Sequence, residues 1–270
     1  MLDDIQLVDL VLKVGAITFH EVDNRREIVK TCRDLFEKLP NTSRVMAPTN
    51  KLVERINEVI QWTINKNGEP IKFGLDEWHI QIRQGDQVLF TKNDYNHDVQ
   101  NGLLGVLTST EKTVLTTENC SEDYMGVIKV DGGRSVYVDM DIIDQVKLGY
   151  AMSLHRGQGS QFPRIIIALD QSKNLDGAWL YTAVTRAEAD VHIIGRKDVL
   201  EQAITTPSHV SLRNTYLPSL IREYRESADS GLGAAKLSVH LEAVDIPVSH
   251  SFPSLSVIVL ILDDILPFKK

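Results

Sequence analysis

The sequence predicts an α/β fold: a parallel sheet whose two parts are separated by a small antiparallel barrel. Three observations carry that prediction. Near-continuous apolar runs at 150–154, 164–169 and 191–195 read as strands buried on both faces, the texture of a parallel sheet. Helical spacing of Ile28, Val29, Cys32, Leu35, Phe36 and Leu39, and again of Leu52, Val53, Ile56, Val59 and Ile60, supplies helices to cover such a sheet. Between these groups, from about Gly74, the pattern changes to short β-rich runs punctuated by turn residues.

Taken in order, residues 1–20 carry Leu7, Val8, Leu10, Val11, Leu12 and Val14, and are expected to be helix rather than strand. A helix follows over 26–39, stopped by Pro40-Asn41. Residues 43–47 read as a strand, Pro48-Thr49-Asn50 as a tight loop, and the next helix starts there, with Thr49 or Asn50 as its cap. A strand feeding a capped helix start is a potential anion site, because free N–H groups and the helix dipole point outward. It is equally an ordinary capped helix, and the residues alone leave both open.

The runs 86–91, 101–107, 112–117, 125–130 and 135–140, with turns at Asn93-Asp94, Asn101-Gly102 and Asp131-Gly132-Gly133, predict the small barrel. The parallel pattern then resumes: strands at 149–154 and 164–169, a helix over 178–189, a strand at 191–195 and a helix at 197–203. Leu217, Leu220, Ile221 and Tyr224 mark a last helix, residues 227–233 a linker, and the remainder a tail. The expected segments are 1–74 and 146–205 for the α/β lobe, 75–145 for the barrel, and 206–270 for helix, linker and tail.

Composition narrows the classes. A hydrophobic content of 43% and a charged content of 24% are those of an ordinary globular chain. The two cysteines, Cys32 and Cys120, form no CxxC and the histidines show no paired metal spacing, so no zinc site or disulfide framework is expected. This usage fits a reducing, cytoplasmic setting. No signal leader is expected, and the apolar window 257–262 is far too short to span a bilayer. A net charge of −8 argues against nucleic-acid binding by a global basic field, but not against a local cationic groove.

The residues with the most chemistry lie at 149–163. A short apolar run breaks into a Gly-rich turn, His155-Arg156-Gly157-Gln158-Gly159-Ser160-Gln161-Phe162-Pro163, ahead of the next strand. Polar side chains and glycines at the carboxyl end of a parallel strand are the usual ligand site of an open α/β sheet. Leu180-Tyr181-Thr182-Ala183-Val184-Thr185-Arg186-Ala187 follows. Together these segments resemble the fifth and sixth motifs of superfamily 1 helicases, and most closely the RecD-like branch. That branch reads His-Lys/Arg-x-Gln-Gly-Ser-Glu-Phe-Pro, then Leu-Tyr-x-Ala-x-Thr-Arg-Ala. Gly85-Asp86-Gln87-Val88, Asn93-x-Tyr95 and Asn101-Gly102-x-x-Gly105 also resemble landmarks of the same branch. The resemblance covers residues 43–200.

What it implies is a RecA-like second motor lobe with an inserted barrel of the Src-homology-3 kind. Arg186 is then the arginine finger, the catalytic residue. Gly159, Ser160, Gln161 and Thr185 join it on the nucleotide. Thr49, Asn50, Asn93, Tyr95, Asn101, Ser153, His155, Arg156 and Gln158 contact single-stranded DNA. ATP and Mg²⁺ are shared with a first lobe absent from this chain, and no metal site is expected here. The implied function is the C-terminal lobe of an ATP-dependent 5′→3′ DNA helicase. Its partners are single-stranded DNA and a first lobe or partner helicase/nuclease subunits, with no membrane. The alternative is a non-enzymatic DNA-binding or subunit protein derived from a truncated helicase.

Plainer roles stand beside these. Arg186 fits a helix end, His155 alone a buried structural histidine, Tyr95 barrel packing, and Asn101-Gly102 a type I′ turn. The chain departs from the family at Gln161, where Glu is usual. It also lacks the arginine-bearing motif expected before Ser43, for which Asn24-Arg25-Arg26 is no substitute. No Gly-x-x-x-x-Gly-Lys-Ser/Thr loop occurs, and the glycines at 231 and 233 lack its spacing. The chain alone is therefore expected not to turn over ATP.

Overall fold

The computed structural model describes residues 16–73, 78–116 and 121–206. The expected last helix, linker and tail after 206, and the apolar positions 7–14, lie outside the described residues. In chain order the elements of the first part are β1 (Ala16–Glu21), α1 (Arg25–Lys38), β2 (Ser43–Ala47) and α2 (Asn50–Ile64). Eight short strands follow: β3 (Pro70–Phe73), β4 (Trp78–Arg83), β5 (Gln87–Phe90), β6 (Leu104–Ser109), β7 (Thr113–Thr116), β8 (Ser121–Tyr124), β9 (Gly126–Val130) and β10 (Ser135–Val138). After a 3₁₀ turn come β11 (Val146–Leu148), β12 (Ala151–Ser153), β13 (Phe162–Ala168), α3 (Gly177–Val184), β14 (Ala187–Gly195) and α4 (Lys197–Thr205).

Strand β13 shows why this sequence makes a covered parallel sheet. Ile165 and Ile167 point into one core and Ile166 and Ala168 into the other, all of them buried. A strand with four consecutive buried apolar residues, Ile165 to Ala168, must be covered on both sides. Its sheet has the order β1-β14-β13-β2-β12 and every pairing is parallel. On one face α1 and α2 pack Phe36, Leu35, Ile56 and Ile60 against Val45, Ile166 and Ile194. On the other, Leu180 and Ala183 of α3 and Leu200 and Ala203 of α4 meet Ile165, Ile167, Val191 and Ile193.

Three of the four described helices begin where a polar side chain accepts from an otherwise unpaired N–H. Asn24 accepts from Glu27 N, Thr49 from Leu52 N and Asp176 from Trp179 N. The outward edge of β12 is closed without a strand: Asn57 of α2 accepts from Ala151 N (2.8 Å) and donates to Ala151 O (2.9 Å). A buried amide thus mimics a missing neighbour and keeps the edge from offering itself for pairing.

The inserted strands form an antiparallel sheet in the order β10-β9-β6-β5-β11, with the hairpin β3-β4 and the ribbon β7-β8 as separate pairs. Val88, Phe90, Leu107, Ile128 and Val138 fill its own core, to which Ile71 and Ile82 of the hairpin contribute. The ladder is open among the described residues, since β10 and β11 each have one partner in it. Leu89 and Leu104 instead join the core of the parallel sheet, so the two sheets share packing.

Several expectations change. Residues 16–21 are a strand, not a helix: Ile17 and Phe19 pack on the core while β1 runs alongside β14. The helix expected over 178–189 ends at Val184, because the chain turns at Thr185–Arg186 and β14 starts at Ala187. The antiparallel part runs from Pro70 to Leu148, a few residues beyond the expected 75–145 at each end.

Candidate nucleotide and nucleic-acid site

The loop between β12 and β13 is set by sheet order. The two strands run parallel but β2 lies between them, so residues 154–161 must travel from the carboxyl end of β12 to the amino end of β13. Leu154 and Phe162 are buried in one core and anchor the two ends of this path. Between them the chain makes successive turns: Arg156 N donates to Ser153 O (3.0 Å) and Ser160 N to Gly157 O (3.2 Å). His155, Gln158 and Gln161 are exposed, and Ser153, Arg156 and Ser160 half-buried. His155 is therefore not the buried structural histidine it was read as when taken alone. Gly159 has φ +86°, and a Cβ built there meets nothing within 4 Å. The left-handed turn requires glycine, and it leaves the backbone open to approach by a ligand.

Arg186 closes the lower end of this loop. Thr185 Oγ1 donates to Thr182 O (2.9 Å), which fixes the end of α3. The Arg186 guanidinium then donates from Nε to Thr182 O (3.3 Å) and from a terminal nitrogen to Ser160 O (3.4 Å). Its own carbonyl accepts from Phe162 N (2.9 Å). Both side-chain partners are neutral carbonyls. No carboxylate lies within ion-pair distance of this half-buried cation among the described residues. The arrangement is a preorganised positive charge with donor capacity to spare, beside an open glycine turn.

The remaining candidates gather at the upper end. Ser153 pairs in register with Ala47, so Thr49 and Asn50, which follow Ala47, start α2 beside it. Asn50 and Arg156 line one cleft of about 340 Å³ between α2 and the inserted sheet. The insert reaches the same place: Gly102 has φ +93° and a Cβ there would stand 2.7 Å from Arg156 O. Asn93 Oδ1 accepts from Asn101 N (2.7 Å), so these two residues shape the insert's loop. Tyr95 projects from that loop with 91% of its surface exposed, which rules out the packing role considered for it.

One expectation needs correcting. The sequence placed the whole site at carboxyl ends of strands. Ser153, His155, Thr49 and Asn50 are at such ends, but Ser160, Gln161 and Arg186 precede β13 and β14 and lie at their amino ends. The site is therefore two clusters joined by a loop across the sheet face. No group of three or more His, Cys, Asp or Glu side chains is placed to hold a metal among the described residues.

Residues 148–194, which contain the crossing loop and Arg186, match the UvrD-like helicase C-terminal domain. Over 195 residues the chain is 29% identical to the ATP-dependent RecD2 DNA helicase of Deinococcus radiodurans, covering 68% of this chain and 24% of that protein. Over 149 residues it is 29% identical to the RecBCD enzyme subunit RecD of Mycolicibacterium smegmatis, covering 54% of this chain and 23% of that one. The chain is thus similar to the C-terminal part of RecD-like superfamily 1 helicases. It spans about a quarter of the length of these RecD-like relatives. A solved Bacteroides Pif1 helicase, in complex with ADP-AlF3 and single-stranded DNA, covers 78% of this chain and 56% of its own at 18% identity, with a TM-score of 0.43.

The chain contains a buried polar group that sequence reading missed. Asp86 is fully buried, and its carboxylate accepts from Asn65 Nδ2 (2.5 Å), Gln61 Nε2 (2.5 Å), Arg83 N (2.8 Å) and Tyr150 Oη (2.6 Å). These donors come from α2 and its C-cap Asn65, from the last residue of β4, and from the residue before β12. Asp86 therefore ties the inserted sheet to the parallel one. Burial and the adjacent Asp86 charge push the Tyr150 phenol well above its usual range, so it stays a donor. Gly85-Asp86 was visible as a family landmark, but nothing local in the sequence told that the acid is buried.

Proposed function

We propose that this chain is the second motor lobe of an ATP-dependent 5′→3′ DNA helicase and that its inserted strands are a barrel of the Src-homology-3 kind. The single observation that carries the reading is the contact of Arg186 with Ser160 O. It puts an unpaired guanidinium on the same side of the sheet as the open turn at Gly159.

Arg186, reaching over to a triphosphate held by a first lobe, neutralises charge that spreads over the transferred phosphoryl group, an effect worth roughly 10³–10⁵ in rate. Ser160, Gln161, Thr185 and the backbone at Gly159 orient the nucleotide around it. Mg²⁺, held by a first lobe, would supply neutralisation of the phosphate charge, and no residue of this chain is assigned to it. The residues present fit one side of such a site. At the upper end Ser153, His155, Arg156, Gln158, Thr49 and Asn50 hold the phosphate backbone of a single strand without reading its sequence. Tyr95 offers a ring for a base to stack on, and Asn93 and Asn101 keep its loop in shape. The crossing loop joins both clusters, so nucleotide closure and DNA grip are linked through one short segment.

The test supplies the first lobe as a separate polypeptide and measures DNA-stimulated ATP hydrolysis. Arg186→Ala is expected to lower the rate by about 10³ or more while leaving DNA affinity within about twofold. An unchanged rate removes the finger assignment. A rate that the first lobe reaches alone, with this chain adding only DNA affinity, favours a non-enzymatic subunit. Unwinding of a 5′-tailed but not a 3′-tailed duplex by the same mixture checks the polarity.

A further inference from the structure

Away from that site a groove of about 930 Å³ runs between α1 and α2 on the outer face of the parallel sheet. Five cations line it: Arg25, Arg26, Lys30 and Arg33 from α1, and Arg55 from α2. Glu27 is the acid among its lining residues, and its carboxylate already accepts from Asp23 N. Such a cluster stands out in a chain of net charge −8. Arg26, Lys30 and Arg33 are at helix positions i, i+4 and i+7, a stripe with steps of about 4.5–6 Å along the axis. Arg26 and Lys30 are exposed and make no ion pair among the described residues.

Arg25, Arg33 and Arg55 pair with Asp170, Asp34 and Glu58, but these pairs are partly or largely exposed. Pairs of that kind hold their partners by about 0–1 kcal/mol, so the guanidinium groups are readily recruited by a stronger anion. We infer that this groove binds the phosphate backbone of a nucleic-acid strand.

Two features favour nucleic acid over an acidic protein. Four of the five cations are arginines, whose planar fork matches phosphate. The groove offers only Val29 and Val59 as apolar lining, with no aromatic anchor, and so lacks the buried centre on which protein interfaces depend. Its position fits too. α1 and α2 follow β1 and β2, so their starts lie at the same edge of the sheet as Ser153, and Arg55 is five residues beyond Asn50. The inference rests on the motor-lobe reading only in its choice of ligand.

The test is fluorescence anisotropy of the whole chain with a labelled single-stranded oligonucleotide across a salt series. The variants are Arg26→Glu with Lys30→Glu, and Arg156→Ala as a probe of the loop site. Both groove side chains are exposed, so the double variant should melt with the parent. It is expected to bind about tenfold more weakly at low salt. Its slope of log K against log salt should be shallower by about 1.4, the share of two phosphate contacts on a single strand. Exchanging the pair conservatively, Arg26→Lys with Lys30→Arg, should keep the parent slope. Unchanged affinity and slope in the folded charge-reversed variant overturn the groove, and if Arg156→Ala still weakens binding the motor reading survives. No binding by the parent chain at low salt overturns both. Displacement of the oligonucleotide by poly-glutamate as readily as by unlabelled DNA overturns the assignment to nucleic acid.

Discussion

Two buried charged side chains, one beside the β12 edge of the parallel sheet and one on its central strand, are accommodated in different ways. Asp86, near β12, has both oxygens occupied by neutral donors from three separate stretches of chain. Arg164, on β13, donates to Leu35 O (3.0 Å) and to His192 Nε2 (2.6 Å), while its Nε has no hydrogen-bond partner. His192 Nδ1 in turn meets His20 Nε2 at 3.0 Å on β1. That geometry fixes the protons: His192 accepts from Arg164, so its hydrogen is on Nδ1 and donates to His20. The acid is held by amide, hydroxyl and backbone donors that do not titrate near neutrality. The base relies on an imidazole that must stay neutral. The first joint ties two sheets together through its donors, and the second is conditional on the protonation of His192.

Asp86→Ala should have the largest effect. It removes the shared acceptor of Gln61, Asn65, Arg83 and Tyr150, and each buried donor so orphaned costs about 1–3 kcal/mol, moderated by relaxation and by the second acceptor of Asn65 at Gln84 O. The expected loss is about 3–5 kcal/mol in urea unfolding, with faster amide exchange at the Tyr150–Ser153 strand and across β5. Asp86→Asn keeps the shape but turns one acceptor into a donor, and should fall between parent and Ala. A loss under about 1 kcal/mol would sink the idea that this carboxylate joins the two sheets.

The conditional joint should show itself as acid sensitivity. Burial first, then the Arg164 and His20 charges, depress His192 to about 4 from its ordinary 6.5. His20 is lowered as well, by burial, Lys38 and Arg164. A depressed histidine binds its proton more readily in the unfolded chain. Its contribution is therefore fully present above pH 6.5 and lost as pH falls toward about 4. Because His192 is only partly buried, screening reduces the loss to about 1–2 kcal/mol. His192→Asn should flatten the stability profile between those pH values. An Asn variant that keeps the parent slope would put the proton elsewhere.

The contrast also explains what could be read in advance. The parallel strands β2, β12, β13 and β14, the two covering helices at 25–38 and 50–64, and the Arg186 and Gly159 segments were legible, because periodicity and local glycine chemistry are properties of neighbouring residues, whereas β1 was not. The direction of the crossing loop was not legible, since it depends on β2 lying between β12 and β13, a fact of sheet order. Asp86 and Arg164 were hidden for the same reason: a charge in a sequence carries no mark of burial, and their partners are drawn from distant stretches of chain. The start of β14 at Ala187 was masked by helix-forming residues at 187–189. There a hydrogen bond from Phe162 to Arg186 overrides local preference.

The smallest expected effect belongs to a histidine of the opposite sign, and it sharpens the comparison most. His97, in the loop that carries Tyr95, has Nε2 2.8 Å from Asp139 and Nδ1 3.1 Å from Asp94, the latter without hydrogen-bond alignment. Partial burial works against its charge, but the two carboxylates outweigh burial and raise the imidazole above its usual 6.5. The sign is the reverse of that at His192. Stabilisation of the loop is complete below pH 6.5 and lost as pH rises through the higher folded value. The pair is partly exposed, so the effect should stay under about 1 kcal/mol. It is best followed by the proton resonance of the imidazole, whose midpoint should lie above 6.5 and fall toward it in Asp139→Asn. Amide exchange over residues 94–101 should then quicken from pH 6 to 8 by more than the intrinsic base-catalysed increase, and His97→Asn should remove that excess. A midpoint at or below 6.5 would mean that the carboxylates do not hold the loop. The rigidity of the Tyr95 platform would then rest on Asn93, Arg134 and the Asp94–Val99 bridge alone.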